Sequence, residues 1–279
     1  MNKIFDAKLS DKVFTRLQKY IQGNYGIKMP PEKRIMLQSR LQKRLRALDI
    51  SSYEEYIDFA FNRDPTIELV HMMDVVSTNK TDFFREPAHF EFLEKKYLPA
   101  FYANSGRQLS LWSAGCSSGE EIYTLAMVFE QFAAQNSGLD YKILGTDIST
   151  IVLKKAKQAI YPEALVEVVP LELKRKYMLR SKDKKDRKIR MIPRIRNKTR
   201  FERLNFMDAS YNIHETFDVI FCRNVLIYFN RETQEKVINK LCEHLKPGGF
   251  FFFGHSESIT GLRVPLKYIQ QTVFQKTAE

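Results

Sequence analysis

A turn of small residues between an apolar run and a helical pattern constrains the fold of this chain more than any other feature. Residues 109–113 are apolar enough for a buried strand, residues 115–119 form the turn, and Glu120 begins the helical pattern. A second apolar run ends at Asp147. In open α/β sheets, nucleotide-like cofactors bind where such a turn follows one strand and an acid at the tip of the next receives the ribose hydroxyls. This order of segments predicts a ligand that contains adenosine.

Strand-like and helix-like patterns alternate along the chain after residue 90. The strand patterns cover residues 109–113, 142–146, 217–222 and 250–253, and the helical patterns cover residues 120–132, 149–159 and 233–245. Residues 246–249, Lys-Pro-Gly-Gly, read as the turn before the last strand. This alternation predicts an α/β fold with a doubly wound, mostly parallel sheet.

A strongly basic segment interrupts this alternation. Residues 174–203 contain fifteen Lys or Arg, against only Asp183, Asp186 and Glu202. Residues 188–192 and 199–203 alternate in polarity as exposed antiparallel strands do. We therefore predict a small β-insertion at about residues 168–203.

The first 76 residues predict a small all-α domain. An apolar stripe at helical spacing is formed by Leu37, Leu41, Leu45 and Leu48. The basic side chains on the flank of this stripe are Lys33, Arg40, Lys43 and Arg44. Two interpretations of this flank stay open: a solvated face of a helical bundle, or a surface for an acidic partner. Residues 77–90 form a polar and aromatic linker to the α/β domain.

The net charge of +12 and the scarcity of cysteine limit the functional classes. The charge indicates an acidic partner, such as nucleic acid, anionic lipid or an acidic protein surface. The three cysteines and five histidines lack metal-ligand spacing, so we expect no metal site. Apolar runs are too short for a membrane span and the N-terminus lacks a secretory signal, so we expect a cytoplasmic protein without membrane insertion.

The residues after the glycine turn favour S-adenosylmethionine over a dinucleotide. Residues 115–119 lack the second glycine of the G-x-G-x-x-G pattern. Glu120 and Glu121 would repel a pyrophosphate at the helix start. S-adenosylmethionine carries no phosphate, and it has a sulfonium and an amino-acid end with a cationic group. Alternatively, one of the two glutamates serves only to stabilise the helix dipole and does not contact the ligand. This alternative stays open.

Three further segments resemble the chemotaxis receptor methyltransferase (CheR) family. The first is Asn-Lys-Thr-Asp-Phe-Phe-Arg at residues 79–85, followed by His89 and Phe90. The second is Cys-Arg-Asn-Val-Leu-Ile-Tyr-Phe at residues 222–229. The third joins Leu-Lys-Pro-Gly-Gly at 245–249 to Gly-His-Ser-Glu-Ser at 254–258. The resemblance extends over nearly the whole chain, the basic helix included, and the β-insertion is its least typical part.

The resemblance implies a class I, Rossmann-like methyltransferase that uses S-adenosylmethionine and releases S-adenosylhomocysteine. Its activity would be protein-glutamate O-methylation, which gives methyl esters on bacterial chemoreceptors in chemotactic adaptation. Residues 1–76 would recognise the substrate, residues 77–90 would contribute to the cofactor site, and residues 91–279 would form the methyltransferase domain.

The resemblance also implies roles for single residues. The implied cofactor-binding residues are Asn79, Thr81, Arg85, Glu121, Asp147, Asn205, Phe206, Arg223 and Asn224. Asp147 would hold the ribose, and Asn205 with Phe206 would border the adenine. Tyr228 would lie close to the transferred methyl group.

The chemistry of glutamate methylation agrees with this set of residues. A glutamate side chain has a pKa of about 4.3, so it is already a nucleophilic carboxylate at neutral pH and requires no general base. The catalytic task is to align the carboxylate with the methyl group, and positioning can supply about 7–11 kcal/mol of a barrier. We expect Arg85 and Tyr228 to orient the reactants.

The charge pattern indicates how the partner would bind. Receptor methylation sites lie on glutamate-rich helices in the cytoplasm, and Lys33, Arg40, Lys43 and Arg44 could steer such a surface to the site. An acidic receptor C-terminal tail could add a strand to the β-insertion. We expect recruitment to membrane-bound receptor clusters, and a monomer is the default expectation.

Two other functions stay open from the residues alone. A nucleic-acid methyltransferase would suit the positive charge, but an adenine N-methyltransferase commonly has an Asp/Asn-Pro-Pro-Tyr/Phe turn, and residues 223–226 are Arg-Asn-Val-Leu. Cys222 lacks the preceding proline usual in cytosine C5 chemistry. A non-catalytic sensor of S-adenosylmethionine is the second alternative.

Overall fold

The computed structural model describes residues 7–104, 106–183 and 185–277. Its helices are α1 (Asp11–Tyr25), α2 (Arg34–Leu48), α3 (Tyr53–Asp58), α4 (Pro65–Val76), α5 (Ala88–Phe92), α6 (Leu98–Ala103), α7 (Glu120–Ala133), α8 (Thr150–Gln158), α9 (Leu171–Tyr177), α10 (Pro193–Arg196) and α11 (Arg231–Glu243). Its strands are β1 (Gln108–Ala114), β2 (Asp140–Asp147), β3 (Ile160–Pro162), β4 (Met178–Arg180), β5 (Lys188–Met191), β6 (Thr199–Arg203), β7 (Phe217–Cys222), β8 (Leu245–Phe253), β9 (Leu266–Gln270) and β10 (Val273–Lys276). Residues 1–6 and 278–279, which the predicted domains include, lie outside the described residues.

Helices α1 to α4 pack around an apolar core of their own. The leucine stripe predicted on α2 is buried at Leu37, Leu41 and Leu45. Ser52 caps α3 by accepting a hydrogen bond from the Glu55 amide, which satisfies one of the free amides at the helix start. The prediction of an all-α domain before the α/β domain is confirmed. No helix among the described residues has the length and apolar character needed to cross a bilayer.

The second domain contains a seven-stranded sheet with the order β6-β2-β1-β7-β8-β10-β9. Strands β6, β2, β1, β7 and β8 are parallel to one another. The hairpin of β9 and β10 adds two strands at one edge, where β10 pairs antiparallel with β8. Successive residues of β1 point into different cores: Leu111 packs on one face of the sheet and Trp112 on the other. The predicted doubly wound, mostly parallel sheet is confirmed.

The predicted β-insertion agrees with the structure at its centre and differs at both ends, since its sheet includes β3 before residue 168 and excludes residues 199–203. Strand β5 pairs with β3 and β4 in a separate three-stranded antiparallel sheet. Residues 199–203, predicted as an exposed antiparallel strand, instead form β6, which lies parallel to β2 at the edge of the main sheet. An edge strand buries one face whether its neighbouring strand is parallel or antiparallel. The alternation that buries Phe201 therefore does not reveal which strand is the neighbour or its direction.

The turn predicted at residues 246–249 belongs to the irregular start of β8. Phe217 pairs with Leu245 and Val219 pairs with Phe250, so the register shifts across this segment. The predicted helix 233–245 is α11, which begins and ends two residues earlier. Despite these differences, the carboxyl ends of β1, β2 and β7 lie side by side. Predicted site residues lie at or after these strand ends.

Candidate active site

One cavity lies between the helical domain and the carboxyl ends of β1, β2 and β7. All the predicted cofactor-binding residues line it: Asn79, Thr81, Arg85, Glu121, Asp147, Asn205, Phe206, Arg223 and Asn224. Tyr228 and Lys33 line it as well, whereas Arg40, Lys43 and Arg44 are not among its lining residues. The helical domain contributes an apolar wall that sequence reasoning did not foresee, formed by Tyr25, Ile27, Met29 and Met36.

The glycine turn is shaped by close approach of other elements. Gly115 has a φ of +86°, and a Cβ there would meet Val225 Cγ2 at 2.4 Å. Gly119 has a φ of +94° and immediately precedes α7. Glycine is the residue that adopts these conformations without a steric penalty. The turn can therefore pass close to the strand ends and leave the cavity open.

Asp147 ends β2 and fixes the turn that lines the cavity. Its Oδ2 accepts a hydrogen bond from the Ser117 amide at 2.9 Å, and its Oδ1 accepts one from the Ser149 amide at 3.0 Å. Burial raises the pKa of Asp147, although hydrogen bonds from neighbouring amides oppose the shift. Each carboxylate oxygen has a further lone pair, so the group can still accept hydroxyl hydrogens from a ribose.

The two glutamates at the start of α7 point in different directions. Glu121 faces the cavity, where its Oε1 accepts a hydrogen bond from Ser113 Oγ at 2.6 Å and its Oε2 accepts one from Arg223 Nε at 2.8 Å. Glu120 accepts hydrogen bonds from Ser118 Oγ instead and does not line the cavity. Of the two glutamates, only Glu121 lines the cavity, so we keep Glu121 as the predicted contact to a ligand.

Arg223 is the centre of a buried polar network. Its side chain is 2% exposed. Its Nη1 donates to the Arg85 carbonyl at 2.9 Å, to His89 Nδ1 at 2.8 Å and to Glu86 Oε2 at 3.4 Å. Together with the bond to Glu121, these contacts join the linker, α7 and β7.

His89 is neutral in this network. Nδ1 accepts from Arg223, so the ring proton lies on Nε2, which donates to Thr272 Oγ1 at 2.6 Å. Burial and the nearby Arg223 cation lower the pKa of His89 to about 3. Glu86, His89 and His255 lie close enough together to suggest a cation site. Since both ring nitrogens of His89 are already engaged, that ring has no lone pair left for an ion.

Glu86 keeps its negative charge beside this arginine. Burial raises the pKa of Glu86, but the His255 amide, Arg223 and the Asn224 side chain oppose burial and hold the pKa below its usual value. Neither Glu86 nor His89 was assigned a role from sequence. The only signal was their place next to Arg85 in the linker motif.

The linker reaches the cavity because α2 holds its start. Arg40 donates hydrogen bonds to the Val76 and Ser77 carbonyls and to Thr78 Oγ1. The Asn79 carbonyl then accepts a hydrogen bond from Ser117 Oγ at 2.8 Å. Arg40 therefore has a structural task that the predicted receptor contact did not include.

Tyr228 lies in the 3₁₀ turn Leu226–Tyr228 beside the helical domain. Its carbonyl accepts a hydrogen bond from the Lys28 amide at 2.8 Å, and Lys33 Nζ lies 5.7 Å from its ring centroid. The side chain of Tyr228 is partly exposed and lines the cavity.

Several residues around the cavity have left-handed backbone conformations without being glycine. They are Phe84, Glu86, Ser117 and Asn224, with φ between 49° and 59°. Such conformations cost about 1–3 kcal/mol each and persist where surrounding contacts enforce them, often at functional sites.

Comparisons with known proteins agree with this geometry. The family model described as "CheR methyltransferase, all-alpha domain" matches residues 12–77, and the model described as "CheR methyltransferase, SAM binding domain" matches residues 79–275. The chain belongs to the CheR methyltransferase family. The "Chemotaxis protein methyltransferase" of Borreliella burgdorferi is 38% identical over 94% of this chain and 93% of its own. The protein of the same description from Escherichia coli is 34% identical over 95% of this chain and 91% of the relative's chain.

Membership of the family makes this chain a methyltransferase whose cofactor is S-adenosylmethionine. The residues at the cavity suit that molecule. Glu121 provides negative charge and Arg223 and Arg85 provide positive charge in the lining of the cavity, which is what a zwitterionic amino-acid end requires. Asp147 stands at the tip of the neighbouring strand, at the place expected for the ribose.

Replacement of Asp147 tests the position of the cofactor. We expect Asp147→Asn to raise the Kd for S-adenosylhomocysteine about 10- to 100-fold, since hydrogen bonds to a charged group contribute about 1.5–3 kcal/mol. Titration calorimetry would measure this Kd. The matched control is Glu120→Gln, another buried acid near the turn, which does not line the cavity and should leave the affinity unchanged. Equal affinities of the two variants would contradict the proposed ribose site.

The neutral state of His89 predicts a pH dependence of stability. Below pH 6.5 the unfolded chain gains a proton on this histidine, while the folded chain stays unprotonated down to about pH 3. The free energy of unfolding should therefore fall as the pH falls through this window, by at most about 1.4 kcal/mol per pH unit for one proton. His89→Gln keeps an acceptor for Arg223 and a donor for Thr272. Urea unfolding at several pH values gives the free energy of unfolding as a function of pH. This free energy should fall less steeply with falling pH in His89→Gln than in the unmodified chain. Equally steep falls would refute the assignment of a neutral His89.

Proposed function

We propose that this chain transfers a methyl group from S-adenosylmethionine to glutamate side chains of bacterial chemoreceptors, which yields glutamyl methyl esters. The observation that carries the proposal is the cavity itself, which is lined by the predicted cofactor residues and by Met36 of the basic helix α2. The relatives are chemotaxis protein methyltransferases by description, and chemoreceptors are the methyl-accepting partner that this description implies.

The reaction requires alignment more than acid–base chemistry. Bound S-adenosylmethionine supplies a methyl group on a positively charged sulfur. The substrate carboxylate is already ionised at neutral pH, so no residue of the chain has to remove a proton. The new bond forms between the carboxylate oxygen and the methyl carbon, the bond from that carbon to sulfur breaks, and its electron pair stays on the sulfur. The charge of the two reactants is neutralised in the step.

The residues of the cavity divide this task. Glu121 and Arg223, fixed to each other, would meet the amino-acid end of the cofactor together with Asn79, Thr81 and Asn224. Asp147 would hold the ribose, and Asn205 with Phe206 would border the adenine. Arg85 and Tyr228 would orient the reactants, because both line the cavity and come from different segments of the chain, the linker and the turn after β7.

The basic flank of α2 requires a revised division of roles. Arg44 donates to the carboxylate of Glu68, which is 2% exposed, at 2.9 and 2.6 Å. Its charge is therefore largely neutralised inside the helical domain, and Arg40 holds the linker. Lys43 is exposed and Lys33 lines the cavity. We assign the attraction of an acidic receptor helix mainly to Lys33 and Lys43.

A receptor tail could bind at the small antiparallel sheet. Strand β4 is an edge strand of that sheet, and an extended peptide can add to such an edge. Lys174, Arg175 and Arg180 lie around a groove beside it and would favour an acidic tail. Arg180 is already paired with Glu163, which reduces the charge available to a partner.

The activity is tested by the bond that is formed. The protein would be incubated with methyl-labelled S-adenosylmethionine and receptor cytoplasmic fragments, and the product would then be treated with base. Carboxyl methyl esters release volatile methanol, whereas N-methyl groups on nucleic acid or protein do not. Release of labelled methanol is expected. Label that is stable to base, or no transfer at all, would contradict the proposal in favour of an N-methyltransferase or a sensor.

Reversal of one exposed charge tests the receptor surface. We expect Lys43→Glu to raise the KM for receptor fragments about 3- to 10-fold at low salt, with unchanged kcat and cofactor affinity, because a charge at the rim changes mainly the encounter. Added salt should shrink the difference. The control is Lys267→Glu on β9, which makes the same change of net charge at the far edge of the sheet. Equal effects of the two variants would show a general charge effect and refute a local surface.

A further inference from the structure

Glu257 binds an unusual number of backbone amides. Its Oε1 accepts hydrogen bonds from the Val225 and Leu226 amides at 2.9 and 2.7 Å. Its Oε2 accepts hydrogen bonds from the Asn224 and Gly254 amides at 2.9 and 2.6 Å. One carboxylate thus collects three successive amides of the turn after β7 and one amide from the end of β8.

These three amides lie at the start of the turn that follows β7. Asn224 has a φ of +59°, and the 3₁₀ turn Leu226–Tyr228 begins two residues later. The first amides of a helical turn have no partner within the turn, so they need an acceptor from outside. Several amides that converge on one point also form a natural site for an anion. The carboxylate of Glu257 fills this site from within the chain.

The other strand end presses on the same turn. A Cβ at Gly254 would meet Asn224 Nδ2 at 2.5 Å and the Asn224 backbone nitrogen at 2.9 Å. The close approach brings the Gly254 amide to the carboxylate that holds Asn224. The turn is therefore fixed from two sides, by the charge of Glu257 and by the absence of a side chain at Gly254.

Glu257 itself does not line the cavity, but the turn it holds does. That turn carries Asn224 and Tyr228, whereas Arg223 is anchored separately by Glu121, Glu86 and His89. We propose that Glu257 is a positioning residue for methyl transfer, which acts by holding the turn of residues 224–228 so that Tyr228 faces the reacting groups. This inference rests on the proposed function of the same cavity.

The separate anchoring of Arg223 predicts a split between binding and turnover. Glu257→Gln keeps the shape of the side chain but places an amide NH₂ group against two of the four donors. We expect kcat on receptor fragments to fall about 10- to 100-fold, because a displacement of about 1 Å can cost that much. The Kd for S-adenosylhomocysteine should change less than about threefold, as expected when an interaction acts in the transition state more than in binding. Glu257→Asp retains the charge and should recover part of the lost kcat.

Two further variants separate positioning from simple loss of stability. Gly254→Ala pushes the same turn from the opposite side, and because the added Cβ meets Asn224 itself, it should lower kcat and weaken cofactor binding together. Asp218→Asn is the matched control: Asp218 is another buried carboxylate, which accepts from the Ser110 amide and pairs with Lys246 at the other end of β7. Asp218→Asn should lower the melting temperature, and it should not lower kcat selectively over the affinity for S-adenosylhomocysteine.

Hydrogen exchange gives a readout that does not depend on the receptor. Amides of residues 224–226 should exchange faster in Glu257→Gln than in the unmodified chain, and those in Asp218→Asn should not. Methyl transfer by the unmodified chain tests the proposed function, whereas this exchange tests the contact made by Glu257. Unchanged exchange, a wild-type kcat in Glu257→Gln, or equal losses of kcat and cofactor affinity in that variant would each overturn the inference.

Discussion

The buried contact between Arg223 and Glu121 is the interaction on which the rest of the site depends. A guanidinium removed from water is costly unless its hydrogen bonds are satisfied, and removal of one partner of such a pair commonly costs about 3–5 kcal/mol. Here the required partners come from two places in the chain, the linker and the start of α7, while Arg223 itself follows β7. Satisfying this one group therefore brings together the linker, the start of α7 and the end of β7, three segments that line the cavity.

The helical domain is part of this site as well as a surface beside it. Arg40 holds the start of the linker, the Lys28 amide binds the Tyr228 carbonyl, and Asn205 donates to the Asn24 carbonyl. Asp74 of α4 accepts hydrogen bonds from Ser149 and Thr150 at the start of α8, next to Asp147. Each wall of the cavity is thus supported across the domain boundary. A substrate that binds the helical domain would meet elements directly bonded to the residues proposed to orient the reactants.

The fold was largely predictable because its signals are local. The glycine turn, the acid at the tip of β2 and the period of α7 each lie within a few residues, and the sheet orders them in space. The partner of β6 was not predictable, since alternation at Phe201 reports one buried face and not the direction of the neighbouring strand. The roles of Glu86, His89 and Glu257 were also hidden. Their contacts join residues that are distant in sequence, up to 183 residues apart for His89 and Thr272, and nothing in a single segment reveals such a pair.

The charge of the chain illustrates the same limit for function. From sequence, Lys33, Arg40, Lys43 and Arg44 form one basic flank, which is either a solvated face or a surface for an acidic partner. In the structure they divide: Arg44 is neutralised by a buried glutamate, Arg40 is bound to backbone carbonyls, Lys33 lines the cavity and Lys43 faces solvent. A guanidinium can bind several acceptors at once in fixed directions, which suits it to join elements, whereas a lysine ammonium on a flexible stem is better suited to an exposed surface. The net charge of the flank therefore overstates what a partner would encounter, and the type of each basic residue indicates more than their number.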